Sequence, residues 1–205
     1  MTRSVYREAR AVGACADGKI RRLQSMYLSG TASASEARAT LARLRRPGHS
    51  SRWMVEGAVL LRDLPELDLT ERGERRMMSA IRVALELYAW HQQSRTVPMA
   101  YTPQEDGRRR SFGASCRLIE RDLDAAAGIR RKLAAVESAS GLEEMEHQLR
   151  GLVTLMRSEN VQVDYRVLAE DLYLLQGEGT RESVFMRWSR DYYADPRDLE
   201  IPTDR

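Results

Sequence analysis

Apolar residues recur at every third or fourth position through most of this chain, and no stretch shows clean alternation with a period of two. The first spacing lays side chains along one stripe of a helix, whereas a half-buried strand needs the second. Met78, Ile81, Leu85 and Tyr88 give the clearest stripe. Composition points the same way. Ala, Leu, Arg, Glu, Met, Gln and Lys, the strong helix formers, supply 113 of 205 residues and leave few β-branched residues for strands. The pattern predicts an all-α fold of eight or nine helices in two small helical bundles. A content of 42% hydrophobic and 31% charged residues is that of a folded chain with a real core, not a disordered one.

Helix signals divide the chain. The first helix runs through Ile20, Leu23 and Tyr27; Val12 and Ala16 offer a backward extension that Gly13 and Gly18 weaken. Ser33 or Ser35 caps a second helix with the stripe Ala37, Leu41 and Leu44, which Pro47 ends after Arg45-Arg46. A shorter helix spans Trp53 to Leu61, and Thr70 caps a long one reaching about Arg95. From Thr96 to Arg110 the periodicity lapses among prolines, Gly107 and runs of charge, which marks a connector. The expected division is an N-terminal helical bundle at 1–97, a connector at 98–110, and a C-terminal helical bundle at 111–205 with a polar tail. In the second bundle Ser111 caps Phe112, Cys116, Ile119 and Leu123, and another helix covers Ile129 to Val136. Ser140 and Glu143 form a capping box ahead of Met145, Leu149, Leu152 and Met156. Asp164 caps Leu168, Leu172 and Leu175, and Thr180 begins the last helix, with Phe185, Trp188 and Tyr192 at core spacing.

Several function classes find no support. No apolar run approaches the ~18 residues of a membrane span. The N-terminus lacks the apolar stretch of a signal peptide, and Cys15 and Cys116 stand about a hundred positions apart as small hydrophobes. A cytoplasmic, non-enzymatic protein with no cofactor, no metal and no small-molecule substrate is expected. His49, His91 and His147 have no metal-ligand spacing, and no glycine-rich loop for a nucleotide occurs. Glu143, Glu144 and Glu146 stand at the start of a helix, where acidic residues meet the positive end of its dipole. His91 reads as a packed histidine.

The basic residues are more telling. Of 33, 31 are arginine, a ratio that a coding bias against lysine explains equally well. Their distribution is less easily dismissed. Residues 1–136 carry 25 basic and 15 acidic side chains, a net +10, and residues 137–205 carry 8 and 15, a net −7. Such asymmetry suggests a polyanion partner for the first part, unless two solvated surfaces differ by chance. The candidate nucleic-acid-binding residues are Arg21, Arg22, Arg43, Arg45, Arg46, Arg52, Arg108, Arg109, Arg110, Arg117, Arg121, Arg130, Arg131 and Lys132. Arg75-Arg76 is set aside because Glu71 and Glu74 can neutralise it. A guanidinium stays charged and presents a planar donor fork to phosphate. Aromatic residues are not interleaved with these clusters, so backbone contact without base reading is expected.

Several segments resemble motifs of the CasB family, the small subunit of the type I-E CRISPR Cascade complex. They are Ala42 to Arg46, Leu87 to Arg95, Ser111 to Ala114, His147 to Arg157, Asp164-Tyr165 with Leu168 to Tyr173, and Arg187 to Tyr192. Their order and spacing agree over roughly residues 18–193. The resemblance implies an all-helical subunit without catalytic activity. It implies two copies lying head to tail in Cascade, in contact with the backbone subunits and the large subunit. It further implies guide RNA and target DNA as nucleic-acid partners, with a basic surface steadying the R-loop. Leu87 to Arg95 is assigned to packing or subunit contact.

Two other readings compete. A helical transcriptional repressor would need a tight helix-turn-helix, and Arg45-Arg-Pro-Gly-His-Ser-Ser51 is too irregular for one. A structural adaptor would use the acidic part for docking and the basic part for nothing.

Overall fold

Ala9, Val12, Ala16, Ile20 and Leu23 follow one another at helical spacing, and all five are buried in the computed structural model, which describes residues 2–46, 57–103, 107–120, 122 and 124–195. They line α1, Thr2–Leu28, so the backward extension is real and reaches well past Val12. Gly13 strengthens this helix's packing. A Cβ there would sit 2.4 Å from Glu170 Cγ and 2.6 Å from the Arg166 carbonyl oxygen, so its absence lets another helix come close. Gly18 faces open space instead. Gly18→Ala is therefore expected to stabilise the protein by about 1 kcal/mol in urea unfolding, the ordinary helix-propensity gain; a loss would place a neighbour where none is seen.

Gly30, at φ +67°, turns the chain into α2, Ala32–Leu44. Its N-cap is Thr31, not Ser33 or Ser35, and no side chain caps it. Ala37, Leu41 and Leu44 are buried as spaced. Pro47 and most of the helix expected from Trp53 lie outside the described residues; a helical turn at 57–60 belongs to it. Thr70 accepts a hydrogen bond from the Gly73 N–H at 3.2 Å and opens α3, Glu71–His91. This helix stops short of Arg95 because Gln92 replaces its next turn: Nε2 donates to the carbonyls of Arg95 and Val97, and Oε1 accepts from the Met99 N–H.

Then follow α4 (Phe112–Arg117), α5 (Ala127–Ser138), α6 (Leu142–Ser158), α7 (Tyr165–Leu175) and α8 (Glu178–Tyr192). Ser111 and Asp164 cap α4 and α7 as expected. Leu123 lies outside the described residues, and α4 ends at Arg117. At α6 the cap residue is Gly141, and Ser140 donates through both its N–H and its hydroxyl to Glu144, not Glu143. Thr180 lies inside the first turn of α8, with its hydroxyl donating to the Leu174 carbonyl at 2.5 Å.

The class is all-α. Among the described residues the sole extended pairing is a parallel bridge, Ala100 with Val163, held by Tyr101 N–H to Val163 oxygen at 2.8 Å. Helix α7 sits centrally, packed by α1, α3 and α8; α2 lies on α1 and α3, α6 on α3 and α5, and α4 on α8. Contacts of α1 and α3 with α7 thus cross residues 98–110, and buried apolar residues from Ala9 to Tyr192 join in one cluster. Phe185, Trp188 and Tyr192 are buried, with Trp188 packed on Phe112 at 5.0 Å between ring centres. Among the described residues no helix is long and apolar enough to cross a membrane.

Candidate nucleic-acid interface

The connector and α1 bring one set of arginines together. Arg21 Nε pairs with Asp17 at 2.7 Å, one turn earlier, and its Nη1 donates to the Thr102 hydroxyl at 2.9 Å. Gln24 Oε1 accepts from the Ala100 N–H at 2.9 Å and fixes the same junction. The Arg110 guanidinium lies 4.3 Å from the Tyr101 ring centre, and the Tyr101 hydroxyl donates to the Arg108 carbonyl at 3.5 Å. Arg109 Nη1 pairs with Asp164 at 3.3 Å. Asp164 also accepts from the N–H groups of Val167 and Arg110, so it caps α7 and holds the connector at once. Burial pushes its carboxyl up, and Arg109 opposes that push. Arg21 thus ties α1 to the connector at Thr102, and Arg109 and the Arg110 N–H tie the connector to the start of α7, with Arg21 and Arg109 held by carboxylates.

The remaining candidates separate. Arg117 is buried, and its Nη1 donates to the Glu120 carbonyl at 2.7 Å. It holds the end of α4 from a buried position, whereas the sequence set expects an exposed contact. Arg43 donates to Thr40 at 3.1 Å, and Arg45 donates to the Ala89 carbonyl at 3.3 Å. Arg46 is exposed beside them. On α5, Arg130 stands beside Tyr192, while Arg131 and Lys132 are exposed. Arg22 borders a groove of about 540 Å³ with Lys19, Arg62, Glu36 and Asp63. Arg52 and Arg121 lie outside the described residues.

Arg157, absent from the sequence set, joins Arg45 at the end of α3, and Arg95, also absent, lies at the end of α6. Arg157 Nη1 donates to the Trp90 carbonyl and to Gln93 Oε1, each at 3.2 Å. Arg95 Nη2 donates to the carbonyls of Arg157 and of Ser158, the latter at 3.2 Å. Arg95 sits in the segment that the sequence assigns to packing or subunit contact, and Arg157 ends a helix that carries no basic cluster. By contrast, Arg82 bonds Glu86 at 2.8 Å and Glu146 at 3.3 Å, and Arg150 bonds Glu146 at 3.1 Å while lying over Trp90. That neutral network joins α3 to α6 and occupies Glu146.

His91 is fully buried, with Nδ1 3.0 Å from the Tyr165 hydroxyl. Burial drives its pKa down to about 3, so it stays neutral. Among the described residues no group of three or more His, Cys, Asp or Glu side chains could hold a metal ion.

With this geometry in view, the family model for CRISPR-associated protein Cse2 matches residues 37–193, well over half of the chain. The chain belongs to the Cse2 family. Among solved structures, CasB from Thermobifida fusca is 29% identical to this Cse2-family chain. The match covers 90% of this chain and 98% of that one, with a TM-score of 0.76. A chain of a CRISPR RNA-guided surveillance complex shares the fold at 21% identity and a TM-score of 0.58, covering 92% and 96%. CasB from M. ruber does so at 21% identity and 0.55, covering 88% and 95%. No curated protein sequence matches the chain.

Proposed function

We propose that this Cse2-family chain is a non-catalytic subunit of an RNA-guided surveillance complex of the Cascade type, where it binds nucleic-acid backbone without reading sequence and steadies the R-loop. The observation that carries this reading is the family match over residues 37–193. The fold shared with a surveillance-complex chain over 92% of the present one supports it. The implied partners are guide RNA, target DNA, the complex's backbone and large subunits, and a second copy of the chain. R-loop formation exchanges one duplex for another at nearly equal free energy, so modest backbone contacts tip the balance while base pairing supplies specificity. The exposed cations Arg22, Arg131 and Lys132 suit such contacts.

Gel shifts on unrelated DNA and RNA sequences test the reading. Roughly five phosphate contacts would give a slope of about −4.5 in log K against log salt on duplex DNA, whatever the sequence. Replacing Arg22, Arg131 and Lys132 together by Gln is expected to flatten that slope by about 2 to 3 and leave the melting temperature unchanged. Arg109 is unsuitable for this purpose, because losing its bond to Asp164 would weaken the cap of α7. A single preferred operator would instead indicate a repressor, and no shift at all an adaptor.

A further inference from the structure

Helix carboxyl ends present carbonyls with no partner in the helix and together carry about half a negative charge each. One arginine is ample for such an end. Here three meet at two ends: Arg45 and Arg157 donate to the last carbonyls of α3, and Arg95 donates to the last carbonyls of α6. Two helix ends supply roughly one negative charge, which leaves about two positive charges over. Among the described residues none of the three has a carboxylate partner. Arg45 has its pKa lowered by burial, and the nearby Arg157 adds to that. Arg45 and Arg157, held on the adjacent carbonyls of Ala89 and Trp90, repel each other at a cost in free energy that an anion would relieve.

We infer that Arg45, Arg95 and Arg157 form a phosphodiester-binding site where the ends of α3 and α6 meet. The inference rests on the nucleic-acid reading above and gives it a location. Each guanidinium carries five N–H donors, and the bonds to carbonyls and Gln93 use a single nitrogen of each. The other nitrogens of Arg45 and Arg157, and the second Nη of Arg95, remain to grip non-bridging phosphate oxygens. Arg95 Nε is buried without a partner. Because the helix ends already fix the three heads, less side-chain freedom is lost when phosphate binds. His91, within reach of the charges of Arg157 and Arg95, is neutral and adds no competing charge. The site reads no base, as three forks aimed at phosphate carry no sequence information.

Arginine side-chain NMR with 15N label tests this on the wild-type chain. Oligothymidine, oligouridine and inorganic phosphate are titrated in separate arms, and single Arg→Lys variants assign the Nε–H signals. The Arg45, Arg95 and Arg157 signals are expected to shift with both oligonucleotides and to return on adding salt. Arg157→Lys, which keeps charge but loses the fork, is expected to weaken oligonucleotide binding about 5–10-fold. Arg75→Lys, already paired with Glu71, should change nothing. If oligonucleotides bind but these three signals stay still, the arginines merely cap helices and the site is wrong, while the nucleic-acid reading survives. If only inorganic phosphate moves them, the anion site stands and its assignment to nucleic acid falls. Silence in every arm overturns both.

Discussion

Gly113→Ala is expected to lower the stability of this protein by about 3 kcal/mol or more, at or above the top of the range for overpacked sites. A Cβ at position 113 would lie 2.0 Å from the Trp188 carbonyl oxygen, 2.6 Å from its carbonyl carbon and 2.7 Å from its Cα. All three are backbone atoms of α8, so no side-chain rotation relieves the clash. Either α4 or α8 must move by more than an ångström. Moving either breaks the packing of Phe112 on Trp188 and disturbs the Ser111 cap. Against a typical total of about 5–15 kcal/mol, such a loss is severe. In a chain of this length it corresponds to a fall in Tm of roughly 6–12 °C. Thermal melting followed by circular dichroism measures it, with Gly128→Ala as the reference because that position faces open space. Melting of Gly113→Ala at the wild-type temperature would show that α4 and α8 are not in contact as described.

The same tertiary logic explains what the sequence could convey. Caps made by a side chain on its own helix are local, so Thr70, Ser111 and Asp164 were legible from residue type and spacing. The caps at Thr31, Gly141 and Gly177 use no side-chain bond, and there the eye falls on the nearest polar residue: Ser33 or Ser35, the Ser140–Glu143 pair, Thr180. Gly13 reads locally as a weak point in a helix. Its true role depends on Arg166 and Glu170, which come close only when the chain folds. The arginines show this most sharply. Clustering along the chain reports charge density but not what each guanidinium meets. Arg109 finds Asp164 55 positions away, Arg117 turns inward, and Arg95 reaches the carbonyl of Arg157 62 positions on. An isolated Arg95 or Arg157 carries no cluster signal at all, and only the meeting of two helix ends reveals their shared position.

Asp171→Ala is expected to cost about 3 kcal/mol, and its pH dependence distinguishes the cause. The carboxylate is buried between α7 and α8, accepting from Trp188 Nε1 at 2.6 Å and from Arg187 Nη2. Removing it leaves the indole N–H buried without an acceptor, worth about 1–3 kcal/mol, and opens a small cavity beside it. The Arg187 side chain is about a third exposed and can turn toward water, which keeps the loss near the low end for broken buried pairs. Burial pushes the Asp171 carboxyl up from its usual 3.8 to about 6, with Arg187 and the indole opposing and Glu170 assisting. A raised folded-state pKa means that the native state holds its proton more tightly than the unfolded chain between these two values. Stability from this group therefore falls as pH rises from about 4 to about 6, the opposite of a surface ion pair. The difference in unfolding free energy between wild type and Asp171→Ala should accordingly be larger at pH 4 than at pH 6, measured by urea unfolding across that range. Growth of that difference with rising pH would mean that attraction to Arg187 outweighs the penalty of burial.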